Sequence, residues 1–418
     1  MDTTAFPAMH RRTSGLVMTD YGFLFALGLA LVVAVDPLEM NLERIIYIKH
    51  LPMAFMLGSL ILTVMGGQIF RWREKRPSSL PALTPLLLLA VFIIAGGFYA
   101  RLFLDIRNSF LVAGLYMLVA PMAAAILLRC PDPVKLQVLR TYFLMLAAAG
   151  AVVFTGLALN YGVRQVYHEL EYLFPPLAVL CAFLIKRPWL RYAGIALSLL
   201  TAALFKKNTG YIVGLLAASY LIAFYFWPHW SRQSSVLRYA KKHWLLVGCI
   251  AFSLLAAFLI LNRDSYLPSG NPSYRLVTYE QAWLRFRASP VIGSAFTSAA
   301  SEKFTAFDTG VSDNVLPSHS DVLDIFANGG VLGVALWLGA LLKIAWMTFQ
   351  EIRNNGRHPL LPYAHALVCM SLAGILTYTF NPIFLQPAKA LLLWTNLGLL
   401  VAIVLSMRKD RAARHRKI

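Results

Sequence analysis

The sequence predicts an all-α polytopic membrane protein with about twelve transmembrane helices, and three observations predict it. Of the 418 residues, 59% are apolar and only 14% charged, and the mean hydropathy is +0.64, too apolar and too long for one soluble core. Crossing the roughly 30 Å hydrocarbon layer takes about 20 apolar residues, and such runs recur along the whole chain. The basic residues gather in the short connections between the runs, denser in every second one.

Taken in order, the predicted spans are 16–35, 51–69, 80–100, 110–128, 138–159, 170–185, 189–205, 209–227, 244–262, 321–349, 362–379 and 387–407. Residues 1–418 read as a single transmembrane domain, because the runs leave no room for a sizeable soluble one. The first run lacks a small-residue cleavage site before the next loop, so it is expected to stay as an anchor. With both termini cytoplasmic, 25 of the 38 Lys and Arg lie in the inside segments or at the span ends beside them, and 13 in or beside the outside segments. Arg71-Trp72-Arg73-Glu74-Lys75-Arg76, the stretch Arg238 to Lys242 and the tail Arg408 to Lys417 then all lie inside. Dropping one middle span would put several later basic loops on the wrong side.

One connection is much longer than the rest. Residues 263–320, about 58 residues on the outer side between spans 9 and 10, form a loop expected to contain short helices. Within it Tyr274 to Ala288 reads as a surface helix, bounded by Pro272 and Pro290, with Arg275, Tyr279, Ala282 and Phe286 on one stripe.

Several function classes are disfavoured at this point. A net charge of +19 raises the question of nucleic acid, but these basic residues sit in short loops where they fix topology. The four cysteines fall in apolar runs or at their edge and suggest neither a disulfide nor a zinc site. No phosphate-binding P-loop, nucleophile elbow or dinucleotide fingerprint occurs, so nucleotide hydrolysis is not expected to drive the protein.

The most specific local pattern is Ser318-His319-Ser320-Asp321-Val322-Leu323, followed by Ile325 to Gly333, where the long outer loop becomes a membrane helix. A neutral imidazole at His319 can accept a proton from a hydroxyl near neutral pH. Ser320, Asp321 and Asp324 suit a helix start, where Ser caps free N–H groups and carboxylates meet the positive dipole end. For the two aspartates this capping reading is the favoured one, and the alternative is that one of them orients the imidazole. Gly329, Gly330 and Gly333 read as small residues that let helices pack closely.

A second constellation is basic and faces outward: Arg101, Arg107, Arg164, Lys206, Lys207, Arg275, Arg285 and Arg287. Holding a diphosphate takes several fixed cations, Arg giving bidentate contacts and Lys a point charge. Snorkelling to lipid phosphates is the competing reading for each of them, and for Arg101 and Arg107 the better one. The outward carboxylates are scattered and include no Asp-x-Asp, so no metal site is expected. His168 between Glu169 and Glu171 is the nearest approach to one, on a stretch that also reads as an ordinary helix entry.

These residues resemble the superfamily of O-antigen ligases and O-antigen polymerases, membrane glycosyltransferases. His319, Leu323, Gly330 and Gly333 match the family's spacing, with Ser320 where Asn is usual. Upstream, Arg275, Trp283, Pro290 and Gly293 follow its Arg, Trp, Pro-x-x-Gly order. Lys206-Lys207-Asn208-Thr209-Gly210 stands where the family often opens a span with a Ser-Arg-Gly-like element, which leaves open whether Lys replaces a phosphate-binding Arg. The likeness has motif support over residues 160–345 and rests on topology elsewhere. It implies a bacterial inner-membrane enzyme with its active site facing the periplasm, using no cofactor. It also implies a metal-independent, inverting transfer from an undecaprenyl-diphosphate-linked glycan. The acceptor is lipid A-core in ligases and another lipid-linked repeat unit in polymerases, and sequence barely separates these two. On this chain His319 would activate the acceptor hydroxyl. Arg275, with Arg164 or Lys207, would hold the leaving diphosphate; Lys206 stands beside them, while Arg285 and Arg287 bind substrate or rim the cavity. A secondary transporter or lipid-linked glycan flippase is the alternative from another class, since even topology with twelve spans is common there. Against it, nearly every span lacks a charged residue near mid-membrane.

Overall fold

The computed structural model describes residues 80–104, 110–161, 172–204, 208–226, 271–297, 301–303, 315–317, 320–356, 358–380 and 387–415. Numbered over these residues, the helices are α1 (Leu80–Phe103), α2 (Phe110–Met117), α3 (Val119–Arg129), α4 (Asp132–Tyr161), α5 (Leu177–Leu184), α6 (Pro188–Leu204), α7 (Asn208–Leu221), α8 (Asn271–Ala288), α9 (Asp321–Asn354), α10 (Leu361–Phe380) and α11 (Pro387–His415). A five-residue π-helix, Ile222–Phe226, extends α7, and strands β1 (Ser301–Lys303) and β2 (Val315–Pro317) pair antiparallel with Glu302 opposite Leu316. Among the described residues six helical segments are long and apolar enough to cross a membrane: Ala82–Phe103, Phe110–Arg129, Thr209–Phe226, Asp321–Asn354, Leu361–Thr379 and Lys389–Arg414.

The core forms around α11. A helix apolar on all sides must be surrounded by others, and from Ala390 to Met407 this one is buried almost throughout, packed by α2, α3, α9 and α10. One of its buried polar side chains is tied across the bundle, the Tyr142 hydroxyl of α4 donating to Asn396 Oδ1 at 2.6 Å. The other end of α11 continues past the apolar stretch as a basic helix. There Arg411 meets the buried Glu351 of α9 at 2.6 Å, Arg414 donates to Asn355 Oδ1 at 3.0 Å, and His358 Nε2 bonds Asp410 Oδ2 at 3.0 Å. Because the Leu360 N–H donates to His358 Nδ1, it is Nε2 that carries the proton toward Asp410.

The feature that positions the candidate site is a break inside α9. Gly330 has φ 57° and ψ −158°, outside helical space and accessible in practice only to glycine. In a straight helix Ile325 and Gly333 would lie about 12 Å apart along the axis. Here a Cβ on Gly333 would sit 3.5 Å from the Ile325 carbonyl oxygen, so the two halves of α9 fold against each other. The half from Gly330 to Asn354 is by itself long enough to span a membrane, and the half from Asp321 to Gly329 is a short helix packed beside it.

The predicted runs 80–100, 110–128, 138–159, 189–205, 209–227, 321–349, 362–379 and 387–407 all coincide with helical segments, while 16–35, 51–69 and 244–262 lie outside the described residues. Three readings need correction. The run 170–185 holds only the eight-residue α5, because Pro175 and Pro176 sit in a turn before it. The loop helix starts at Asn271, so Pro272 stands in its first turn, where a missing N–H costs nothing, and does not bound it. And 321–349 is not one continuous span.

Candidate functional site

The break in α9 is filled by the turn that follows α8. In a continuous helix Val331 N–H would donate to Ala327 O and Leu332 N–H to Asn328 O. Here all four groups turn to residues 290–296 instead. Val331 N donates to Pro290 O (2.9 Å), Leu332 N to Val291 O (3.0 Å), Ser294 N to Ala327 O (3.3 Å) and Phe296 N to Asn328 O (3.0 Å). An irregular backbone at membrane depth is tolerated only when its polar groups are satisfied by protein, and this exchange satisfies them. Two glycines make the approach possible. A Cβ on Gly330 would lie 2.5 Å from the Val291 carbonyl carbon, and one on Gly293, itself at φ 58°, 2.5 Å from Ala327 O.

Side chains lock the same junction. Ser294 Oγ donates to Asn328 Oδ1 at 2.7 Å, and Asn328 Nδ2 donates to Asp324 O at 2.9 Å. Phe296 is fully buried, edge-on to Phe92 of α1 and Phe110 of α2 with centroids 5.3 and 5.4 Å away, and it fills the space that a side chain on Gly329 would need. Ala295 and Phe296 both hold positive φ, 52° and 59°, a cost of order 1–3 kcal/mol per residue that the surrounding bonds impose.

At the start of α9 Ser320 is the N-cap, its hydroxyl accepting from Leu323 N at 3.4 Å, as the sequence suggested. Asp321 and Asp324 occupy the first turn and are both buried. Both lie within electrostatic reach of Tyr378 of α10, whose ring stacks on Trp337 at 6.0 Å. Trp337 is seven residues past the break, about 10 Å of helix, so the aspartates sit inside the bundle. Asp324 also faces Arg285 of α8. Burial pulls the Arg285 guanidinium down from its ordinary value, and Asp324 opposes that shift. The stripe read on α8 meets α9 where it is described: Ala282 is buried and Phe286 sits edge-on to Phe326 at 5.5 Å.

Of the residues singled out in the sequence, the structure brings Arg285, Asp321 and Asp324 together. Arg287, two residues on, is exposed. Arg275 lies in α8, with its side chain outside the described residues; His319, Arg164, Lys206 and Lys207 lie outside them altogether. His319 directly precedes the capping Ser320, and two residues separate Ser320 from the end of β2. Among the described residues no three His, Cys, Asp or Glu side chains converge as metal ligands would. Sequence reading missed Ser294, Asn328, Phe296 and Tyr378. Asn328-Gly329-Gly330 was the available signal, since Asn followed by Gly inside a helical pattern marks a helix end.

A polytopic helical membrane protein with a broken span, a loop turn inserted into the break and a buried aspartate within electrostatic reach of a half-buried arginine beside it is the class these features define. Residues 193–338 match the family model described as O-antigen ligase, and that match supports the O-antigen ligase superfamily for this chain. The matched segment, about a third of the chain, holds the α8 turn, the break in α9, and His319, Arg275, Arg285, Arg287, Lys206, Lys207, Asp321 and Asp324, but not Arg164. No curated protein matches the chain.

Proposed function

We propose that this chain is an O-antigen ligase-like glycosyltransferase of the bacterial inner membrane. It moves a glycan from undecaprenyl diphosphate to lipid A-core on the periplasmic face, without metal and with inversion at the anomeric carbon. The observation that carries the reading is the junction itself. The Pro290-to-Gly293 turn and Gly330 interlock, and that contact sets Arg285 against Asp324 one turn from the chain position of His319.

In the reaction the acceptor hydroxyl oxygen attacks the anomeric carbon of the donor, and the bond from that carbon to the diphosphate oxygen breaks. Undecaprenyl diphosphate departs with the electron pair. His319 takes the hydroxyl proton as general base, a role worth about 10²–10⁴ in rate. Arg275, with Arg164, Lys206 or Lys207, binds the departing diphosphate, and Arg287 adds charge at the rim. Arg285 differs from these in lying within electrostatic reach of the buried Asp324. Its part is to hold α8 against α9, while Asp321 and Asp324 support the start of α9, and the alternative is that one of them orients the imidazole. Most of the remaining acceleration comes from positioning two large substrates.

A polymerase joining lipid-linked repeat units would use the same chemistry with a different acceptor. The test is transfer of a radiolabelled undecaprenyl-diphosphate-linked glycan in proteoliposomes containing EDTA, with lipid A-core and lipid-linked repeat units offered separately. Label on lipid A-core is the expected result. Lengthened lipid-linked chains would make the protein a polymerase. No transfer to either acceptor, with label moving across the bilayer, would replace both readings with the flippase.

A further inference from the structure

We propose that the end of α8 and the turn after it are seated in the acyl layer of the bilayer, so that this part of the long loop is a membrane-embedded element. In α8 Trp283 and Leu284 are 55% and 54% exposed, and in the turn Val291 and Ile292 are 67% and 45% exposed. Four large apolar side chains on a water-side connection would stand uncovered, which soluble surfaces rarely tolerate as one patch. The structure supplies their cover through continuity. Val331 and Leu332, at the start of the spanning half of α9, are 57% and 43% exposed and face lipid as any span surface does. The turn is stitched to these two residues by backbone bonds from Val331 N to Pro290 O and from Leu332 N to Val291 O, at 2.9 and 3.0 Å. Whatever solvent meets Val331 and Leu332 therefore meets Val291 and Ile292.

The charges agree with this depth. Arg287 is exposed one turn from Trp283 and Leu284, the arrangement of an interfacial helix whose tryptophan and leucine enter the acyl boundary while arginine stays with the phosphates. On the function proposed above, which this consequence presupposes, a lipid-linked donor reaches the site by lateral diffusion with its tail still in the bilayer. The seating itself does not depend on that activity, and its test reads no transfer.

Nitroxide labels are placed singly at Leu284, Ile292, Leu332 and Gly356 in the full chain with its four cysteines replaced, reconstituted in phosphatidylethanolamine–phosphatidylglycerol vesicles. Collision rates with oxygen and with a water-soluble nickel chelate are then compared. Labels at Leu284 and Ile292 are expected to match Leu332, oxygen-accessible and shielded from nickel, and to differ from Gly356, which lies exposed in the turn after α9. Nickel accessibility at 284 and 292 equal to that at 356 overturns the proposal. If the cysteine-free chain does not fold, p-benzoylphenylalanine at Ile292 of the native chain asks the same question. Crosslinking to tritiated phospholipid is expected; crosslinking to a second copy, or no adduct at all, overturns it.

Discussion

Replacing Gly330 with alanine tests the broken helix at its most sensitive point. The added Cβ would lie 2.5 Å from the Val291 carbonyl carbon and 2.6 Å from the Ile292 and Gly293 nitrogens, all backbone atoms that no rotamer change can move. The chain then has two ways out. It can keep the φ of 57°, at a cost of order 1–3 kcal/mol plus the clash. Or it can straighten α9, losing four hydrogen bonds to the turn and regaining two within the helix, a net loss of about 2 kcal/mol. Straightening also evicts Phe296, which makes it the costlier route, so the strained route sets the expected destabilisation at about 3 kcal/mol or more. Two other glycines of the same helix calibrate the measurement. Gly333→Ala meets Ile325 at 3.5 Å and Phe296 at 3.9 Å, ordinary contacts, and Gly339→Ala meets nothing within 4 Å. The first is expected near neutral and the second neutral to stabilising by about 0.5–1 kcal/mol, alanine being the better helix former. Thermal unfolding in detergent, followed by a dye that reacts with thiols on exposure, suits a chain whose Cys130 and Cys369 are buried. If Gly330→Ala melts with Gly339→Ala rather than several degrees below it, the break is not what the structure says.

Phe296→Ala should cost about 3–5 kcal/mol, because a fully buried ring between Phe92 and Phe110 is removed, and in the same melt it should fall with Gly330→Ala. At the other end of the bundle, Glu351→Ala leaves Arg411 and Asn355 without their 2.6 and 2.9 Å partner; a loss of about 2–4 kcal/mol is expected in the melt with transfer activity unchanged at low temperature. Burial pushes the Cys130 thiol up to about 11 against the opposing pull of Lys135, so its thiolate is on the order of one in a thousand at pH 8. Iodoacetamide should leave Cys130 unmodified in the folded protein at that pH, as peptide mass mapping would show.

Much of the architecture was legible because lipid imposes a simple rule: each crossing needs its own long apolar run. That rule recovered the helix at 361–380 to within a residue at each end and the starts of those at 80–103 and 387–415, which run three and eight residues past their predicted ends. The stripe on α8 was legible for a related reason, since Ala282 and Phe286 recur at helical spacing and meet one neighbour. The break at Gly330 was not legible. A glycine in an apolar helix reads as a packing residue, and what makes it a break here is a turn some 40 residues upstream supplying hydrogen bonds that local sequence cannot announce. Gly329 and Gly333 do pack closely, against Phe296 and Ile325, but the partner is the inserted turn and the helix's own first half rather than another span. For the same reason the nearness of Asp324 to Arg285 could not be read from the sequence, where Arg285 is only a basic residue on an outer helix.

The central claim is that the residue before Ser320 is a general base at the start of this folded-back helix, and the pH dependence of transfer by His319→Ala and His319→Gln tests it most directly. Wild-type kcat should rise with pH through a single ionisation near the ordinary imidazole value of about 6.5, as a base that must be neutral requires. Both variants should lose at least about 100-fold in kcat and the ionisation with it, while donor binding, measured separately by photocrosslinking, stays within a few-fold of wild type. A variant that keeps the wild-type profile, or one whose whole loss lies in donor binding, would contradict the account.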